Sequence, residues 1–269
     1  MTATQGFLRH IRACNNAVLP GDRLAFRLGP DQVGWAPARH AAALAALGCR
    51  VGDAIVLDDP QALPGLARAA AARGLCRWRD EAFDVRADPD GPALSRIDRG
   101  ALPLFGIQAA GVHLNGLVRR ADGLHLWVAR RAADKLLDPG KLDHLVAGGV
   151  PAGLTPLATL VKEAAEEAAL PAALAEKARP VAVLTYAMER AEGLRRDRLY
   201  CYDLDLPESF VPQAADGEVE SFELWPIARV LEAVREGDAF KFNVSLVLID
   251  LFLRLGLVSN PALRAALSP

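Results

Sequence analysis

A glycine-rich loop runs straight into an acidic helix over residues 148–170, GGVPAGLTPLATLVKEAAEEAAL, and this junction constrains the chain more than any other stretch. Gly148, Gly149 and Gly153 free the loop backbone for close approaches. Thr155 and Pro156 mark a helix start, the threonine as cap and the proline in the first turn. Glu163, Glu166 and Glu167 then fall at i, i+3 and i+4, so one helix face carries all three. Leu157, Leu160, Val161, Ala164 and Ala168 repeat at helical spacing and form the packing stripe. Three like charges on one face repel unless a cation neutralises them. Mg²⁺ suits the task, because it takes carboxylate and water oxygens at about 2.0–2.1 Å. The plain alternative is a solvated acidic face with Lys162 and Glu166 as an i,i+4 pair, worth roughly 0.2–0.5 kcal/mol. The glycine loop ahead of the glutamates favours a metal–phosphate site.

Loop and helix together resemble the signature of Nudix hydrolases, G-x(5)-E-x(7)-R-E-U-x-E-E-x-G-U, with U a bulky aliphatic residue. Gly148 takes the first glycine, Lys162-Glu163 the R-E pair, Ala164 the first U, Glu166-Glu167 the E-E pair and Leu170 the last U. Three positions depart: Leu154 stands where the first glutamate belongs, Lys162 replaces arginine and Ala169 replaces glycine. The stretch from Trp127 through Leu170, with LYCYDLDLPESF at 199–210 and DGEVESF at 216–222, resembles a narrower group. It is related to Nudix proteins associated with thiamine pyrophosphokinase, which carry an extra N-terminal domain.

The resemblance implies an α/β fold: a Nudix α/β/α sandwich with a mixed sheet, preceded by a small α+β domain. It implies metal-dependent hydrolysis of an organic pyrophosphate, with compounds resembling thiamine diphosphate as candidate substrates. Glu163, Glu166, Glu167 and the Gly148 carbonyl become the expected ligands for Mg²⁺ or Mn²⁺. Lys162, Gly148 and Gly149 become expected substrate contacts. The glutamate missing at 154 is one that supports the loop, so weak metal affinity is expected. That same gap favours the alternative of a non-hydrolytic ligand-binding module on the same fold. An isomerase ranks below both, because no cysteine lies near the glycine loop.

A base or further ligand should come from outside the helix, and Glu218, in the acidic turn with Glu220, is the favoured residue. Arg130, at the end of a strand beside Arg131, is expected to bind phosphate, since a guanidinium matches it bidentately. His113 and Asn115 share a strand face, and a lone histidine in a strand reads as structural. Tyr200, Tyr202 and Trp225 read as core before stacking platforms.

The 269 residues divide into an N-terminal part, 1–104, and a catalytic part, 105–269, with the turn-rich DPDGPALSRIDRG at 88–100 as the boundary. Helices are expected at 7–18, 36–47, 60–73, from 155, at 227–235 and at 242–255. Strands are expected at 24–28, 32–35, 54–57, 83–86, 112–119, 124–130, 142–147, 180–189, 198–205 and 218–224. The N-terminal part holds no catalytic constellation; substrate selection or a homodimer interface are its candidate roles. A net charge of −2 leaves no basic excess for nucleic acid. No uncharged apolar run reaches about 18 residues, so no membrane span is expected. Cys14, Cys49, Cys76 and Cys201 form no C-x-x-C pair and read as free thiols of a cytoplasmic protein. The expected partner is a small-molecule diphosphate.

Overall fold

The computed structural model describes residues 3–134, 137–215 and 217–267. The chain opens with α1 (Ala3–Cys14), followed by β1 (Arg23–Leu28), β2 (Asp31–Pro37), α2 (Ala41–Ala45), β3 (Arg50–Val51), β4 (Ala54–Leu57) and α3 (Leu63–Ala72). A hairpin of β5 (Ala82–Val85) and β6 (Ser95–Asp98) leads to α4 (Leu102–Phe105). The second half holds β7 (Gln108–Arg120), β8 (Gly123–Arg131), β9 (Leu142–Asp143), β10 (Val146–Gly149), α5 (Pro156–Ala168) and α6 (Ala172–Ala175). It ends with β11 (Arg179–Arg190), β12 (Gly193–Leu206), β13 (Val219–Pro226), α7 (Ile227–Glu236), α8 (Val244–Arg254) and α9 (Pro261–Leu267).

A seven-stranded sheet organises the second half in the order β11-β12-β7-β8-β13, with β10 paired to β7 and β9 to β8. The β12–β7 pairing is parallel and the others are antiparallel, so the sheet is mixed. Side chains alternate across it. Val112, Leu114 and Val118 of β7 point to the face covered by α5, where Leu160, Ala164 and Ala168 meet them. Leu117, with Leu126 and Val128 of β8, points to the other face, under α7, α8 and α9. Helices on both faces make the expected sandwich. A separate sheet, β2-β1-β4-β3, carries the N-terminal core around Phe26, Ile55 and Leu63, joined by Phe83, Ile97 and Phe105. None of the described helices is long and apolar enough to cross a membrane.

Four stretches differ from expectation for identifiable reasons. The first helix stops at Cys14, not near 18, because the asparagines behind it engage other partners. Asn15 Oδ1 accepts from Ala187 N at 3.4 Å, and Asn16 Oδ1 accepts from Glu189 N at 2.7 Å. This helix packs with the C-terminal helices: Phe7 and Ile11 are 2% and 3% exposed, and Phe7 lies 6.2 Å, centroid to centroid, from Phe252. The helix expected over 36–47 shrinks to α2, because strand pairing with β1 continues through Ala36 and Pro37. Pro37 therefore ends a strand instead of opening a helix. The turn-rich stretch 88–100 contains β6, and Asp98 at its end accepts from the amides of Arg79, Glu81 and Gly100 at 2.8–3.1 Å. The strand expected over 142–147 is two short pieces with different neighbours, broken at His144-Leu145.

Candidate metal and active site

The glycine loop arrives on β10, whose Gly148 and Gly149 pair with Val112 and Gly111 of β7. Thr155 Oγ1 accepts from Ala158 N at 3.2 Å and caps α5, with Pro156 in the first turn. At the other end Ala169 takes φ +50°. That left-handed conformation is why a glycine is favoured at this place in the signature.

The two loop glycines are fixed by different occupants. A Cβ on Gly148 would lie 2.6 Å from Glu163 Cγ, so the bare backbone is what lets Glu163 lie across it. A Cβ on Gly149 would lie 2.6 Å from Cζ of Phe83, a residue of the β5–β6 hairpin. Gly149 was expected to serve substrate; its side-chain space is filled by Phe83.

The glutamates separate in environment. Glu167 is 7% exposed and its Oε2 accepts from Ala147 N at 3.0 Å. Burial pushes its carboxyl well above the usual carboxylate range; the amide opposes this, and the charges of Asp143, Glu163 and Glu218 add to it. Burial also raises Glu163, against the pull of Lys162 and with a push from Glu166 and Glu218. Glu166 is half exposed. Lys162 Nζ lies 2.5 Å from Glu166 and 3.2 Å from Glu163, so the i,i+4 pair read from the sequence is formed. Glu163, Glu167 and Glu218 therefore share one electrostatic neighbourhood beside Gly148.

Behind Glu167 lies a buried network that sequence reasoning missed in part. Asp143 receives Arg131 Nη1 at 2.7 Å and Lys241 Nζ at 3.5 Å, and these cations, with the two histidines, hold its carboxyl far below the usual range despite burial. His113 and His144 share a hydrogen bond between their Nδ1 atoms at 3.0 Å. Burial lowers His113 well below its ordinary value and His144 to about 4, so both rings are neutral, one donating and one accepting. Donor atoms of His113, Asp143 and His144 all lie within 4.8 Å of one another. Two fixed cations already sit on the only anion of that trio, which disfavours a divalent ion there. The Asp-His pair immediately before the glycine strand was the available signal, since such residues are seldom buried without a partner.

Arg130, expected to bind phosphate, has its Nη1 donating to Gly140 O at 3.0 Å, tying the strand end to the 137–140 segment. Asn115 donates to Asp203 at 2.8 Å, and Asp203 is clamped by Arg254 at 2.5 and 3.1 Å. Trp225 donates to Glu223 at 2.9 Å and stacks under Arg229. Asp216, in the acidic turn before Glu218, lies outside the described residues.

Hard oxygen donors at Glu163, Glu166, Glu167 and Gly148 suit a hard divalent cation. Glu167 is buried with an amide as its hydrogen-bond donor, and the charges of Glu163, Glu218 and Asp143 act against its ionised form, so a cation at these donors would offset that cost. The residues present fit the group.

Residues 111–244 match the NUDIX domain. Residues 61–109 match a domain of unknown function, DUF4743. The chain is 41% identical over 203 residues to Nudix hydrolase 20, chloroplastic, of Arabidopsis thaliana, a match covering 76% of this chain and 51% of the relative. It is 44% identical over 180 residues to Nudix hydrolase 24, chloroplastic, of the same plant, covering 67% and 49%. The chain thus spans about half the length of these curated relatives. The solved structure of DR0079 from Deinococcus radiodurans aligns over 62% of this chain and 97% of its own, with a TM-score of 0.49 at 23% identity.

Proposed function

We propose that this chain is a divalent-metal-dependent hydrolase of an organic diphosphate, splitting X–P–P with water into two monophosphate products. The observation that carries the reading is Glu167: a dehydrated carboxylate beside Glu163, Glu218 and the Gly148 backbone, with an amide as its hydrogen-bond donor. The named Nudix hydrolases among the relatives support it.

Glu163, Glu166, Glu167 and the Gly148 carbonyl would hold Mg²⁺ or Mn²⁺, which when bound neutralises charge on the diphosphate. Lys162 sets the orientation of Glu163 and Glu166 through its two contacts. Glu218 lies at the start of β13, close enough to act on both Glu163 and Glu167. In this reading its carboxylate takes the proton from the attacking water. The water oxygen bonds to one phosphorus as the bridging P–O bond breaks, and the bridging oxygen leaves on the other phosphate.

Thiamine diphosphate-like compounds are the finer substrate proposal, drawn from the subgroup resemblance. Chromatographic detection of the monophosphate products from a panel of thiamine diphosphate analogues, dinucleotides and nucleoside diphosphate sugars, with and without Mg²⁺ or Mn²⁺, tests it. Product formation that needs the divalent ion and is lost in Glu167→Gln supports the reading. Tight binding of a diphosphate that is recovered intact supports the second reading, a ligand-binding module, which Leu154 at the signature's first glutamate position favours.

A further inference from the structure

The loop in front of the glutamate helix is held from outside the NUDIX domain. Leu154 leaves it without the carboxylate of its signature, and Leu154 itself is 39% exposed, packed into no core. The β5–β6 hairpin, within the segment of unknown function at 61–109, meets the loop through three consecutive residues. Ala82 O accepts from Ala152 N at 2.8 Å. The Phe83 ring fills the space that Gly149 leaves open. Asp84 Oδ2 accepts from Gly153 N at 3.1 Å. Gly153 takes φ +83°, so the turn that aims this N–H at Asp84 is one that other residues adopt only with strain. Asp84 is itself held: Arg86 Nη2 lies 3.0 Å and Arg96 Nε 3.5 Å from its oxygens, and its side chain is 14% exposed.

We propose that Asp84 is the loop-positioning carboxylate of this site. The N-terminal hairpin supplies it in place of residue 154 and so holds Gly148 in register with Glu163 and Glu167. The inference rests on the proposed metal site for what the loop positions. Asp84 touches neither substrate nor metal; it acts through the Gly153 amide. The segment of unknown function thereby becomes part of the construction of the site.

The test uses the full chain, with Mn²⁺ binding followed by electron paramagnetic resonance, amide hydrogen exchange over 147–155, and turnover on a diphosphate substrate. Arg86 and Arg96 have side chains 35% and 63% exposed, so both rehydrate in Asp84→Ala and the fold should hold. A charge-assisted hydrogen bond of this kind corresponds to about tenfold or more in an equilibrium. The Mn²⁺ dissociation constant should therefore rise about tenfold in Asp84→Ala, with faster exchange at Ala152 and Gly153. Leu154→Glu in that background should restore most of the affinity, while altering the wild type by less than about threefold. A folded Asp84→Ala with unchanged Mn²⁺ affinity and unchanged Gly153 protection overturns the proposal. Loss of affinity that Leu154→Glu does not repair also overturns it, because it marks Asp84 as a general stabiliser. Should Asp84→Ala not fold, the wild type decides: Gly153 is exposed, so its amide is protected only if the anchor exists. Wild-type protein that binds Mn²⁺ yet forms no monophosphate product sinks the hydrolase reading and leaves this proposal standing. Hydrolysis in which Asp84→Ala matches the wild type sinks this proposal alone.

Discussion

Replacing Glu167 by glutamine should make the metal-free protein more stable and the enzyme slower. Glu167 is 7% exposed and accepts from Ala147 N at 3.0 Å. Dehydrating an ionised carboxylate costs several kcal/mol after relaxation. The amide donor returns about 1.5–3 kcal/mol of that. A remainder of about 1–3 kcal/mol therefore weighs on the folded state at pH 8 when no cation is bound. Glutamine has the same shape, keeps an acceptor for Ala147 N and carries no charge, so the variant should be more stable by about that amount in EDTA.

The pH dependence has a definite sign. Burial raises the folded pKa of Glu167 above its unfolded value. Between the two values the folded state holds more protons than the unfolded, so wild-type stability falls as pH rises through that window. The advantage of Glu167→Gln should be small near pH 4 and grow toward pH 8. Saturating Mg²⁺ stabilises the wild type by about 2.7 kcal/mol at one hundred times its dissociation constant, which closes or reverses the order. Urea unfolding in EDTA and in Mg²⁺, at both pH values, reads all of this. Turnover in Mg²⁺ should drop at least ~10²-fold, the scale of lost transition-state electrostatics. A variant less stable than wild type in EDTA at pH 8 would make Glu167 a structural carboxylate and refute the reasoning.

Ala169→Gly should stabilise the chain by about 1 kcal/mol, because φ +50° strains alanine and not glycine; a rise in Tm of roughly 2–4 °C checks it. His113 and His144 should remain neutral in the folded protein down to about pH 5, so histidine NMR should show neither ring titrating near 6.5. Their folded values lie below the unfolded one, so the unfolded state takes up more protons on acidification. His144 alone should then cost about 2 kcal/mol of stability between pH 6.5 and 5. Phe7→Ala should lower stability by about 3–5 kcal/mol, measured by urea unfolding, because Phe7 packs on Phe252 in the core beneath the C-terminal helices. A loss under 1 kcal/mol would contradict that packing.

What the sequence made legible was local in origin. The glutamate face, the Thr155 cap and the hairpin of β7 and β8 depend on spacing within a few residues, and each formed where its pattern lay. The failures came where a distant partner outbid a local preference. Pro37 reads as a helix opener, yet β1 offered it a strand position. Asn15 and Asn16 cut the first helix short because β11 presents backbone groups to them. The site shows the same division. Position 154 was readable as a gap, since a leucine stood where a carboxylate belonged. The residue that meets the loop instead, Asp84, lies 69 positions before Gly153 and carries no pattern of its own. Its neighbours Phe83 and Arg86 read as an ordinary short strand. Spacing shows which backbone donors a loop will expose; only the packed chain shows which acceptor reaches them. A departure at a supporting position is therefore evidence that another segment has taken over the support, and the elements packed on the loop are where to look for it.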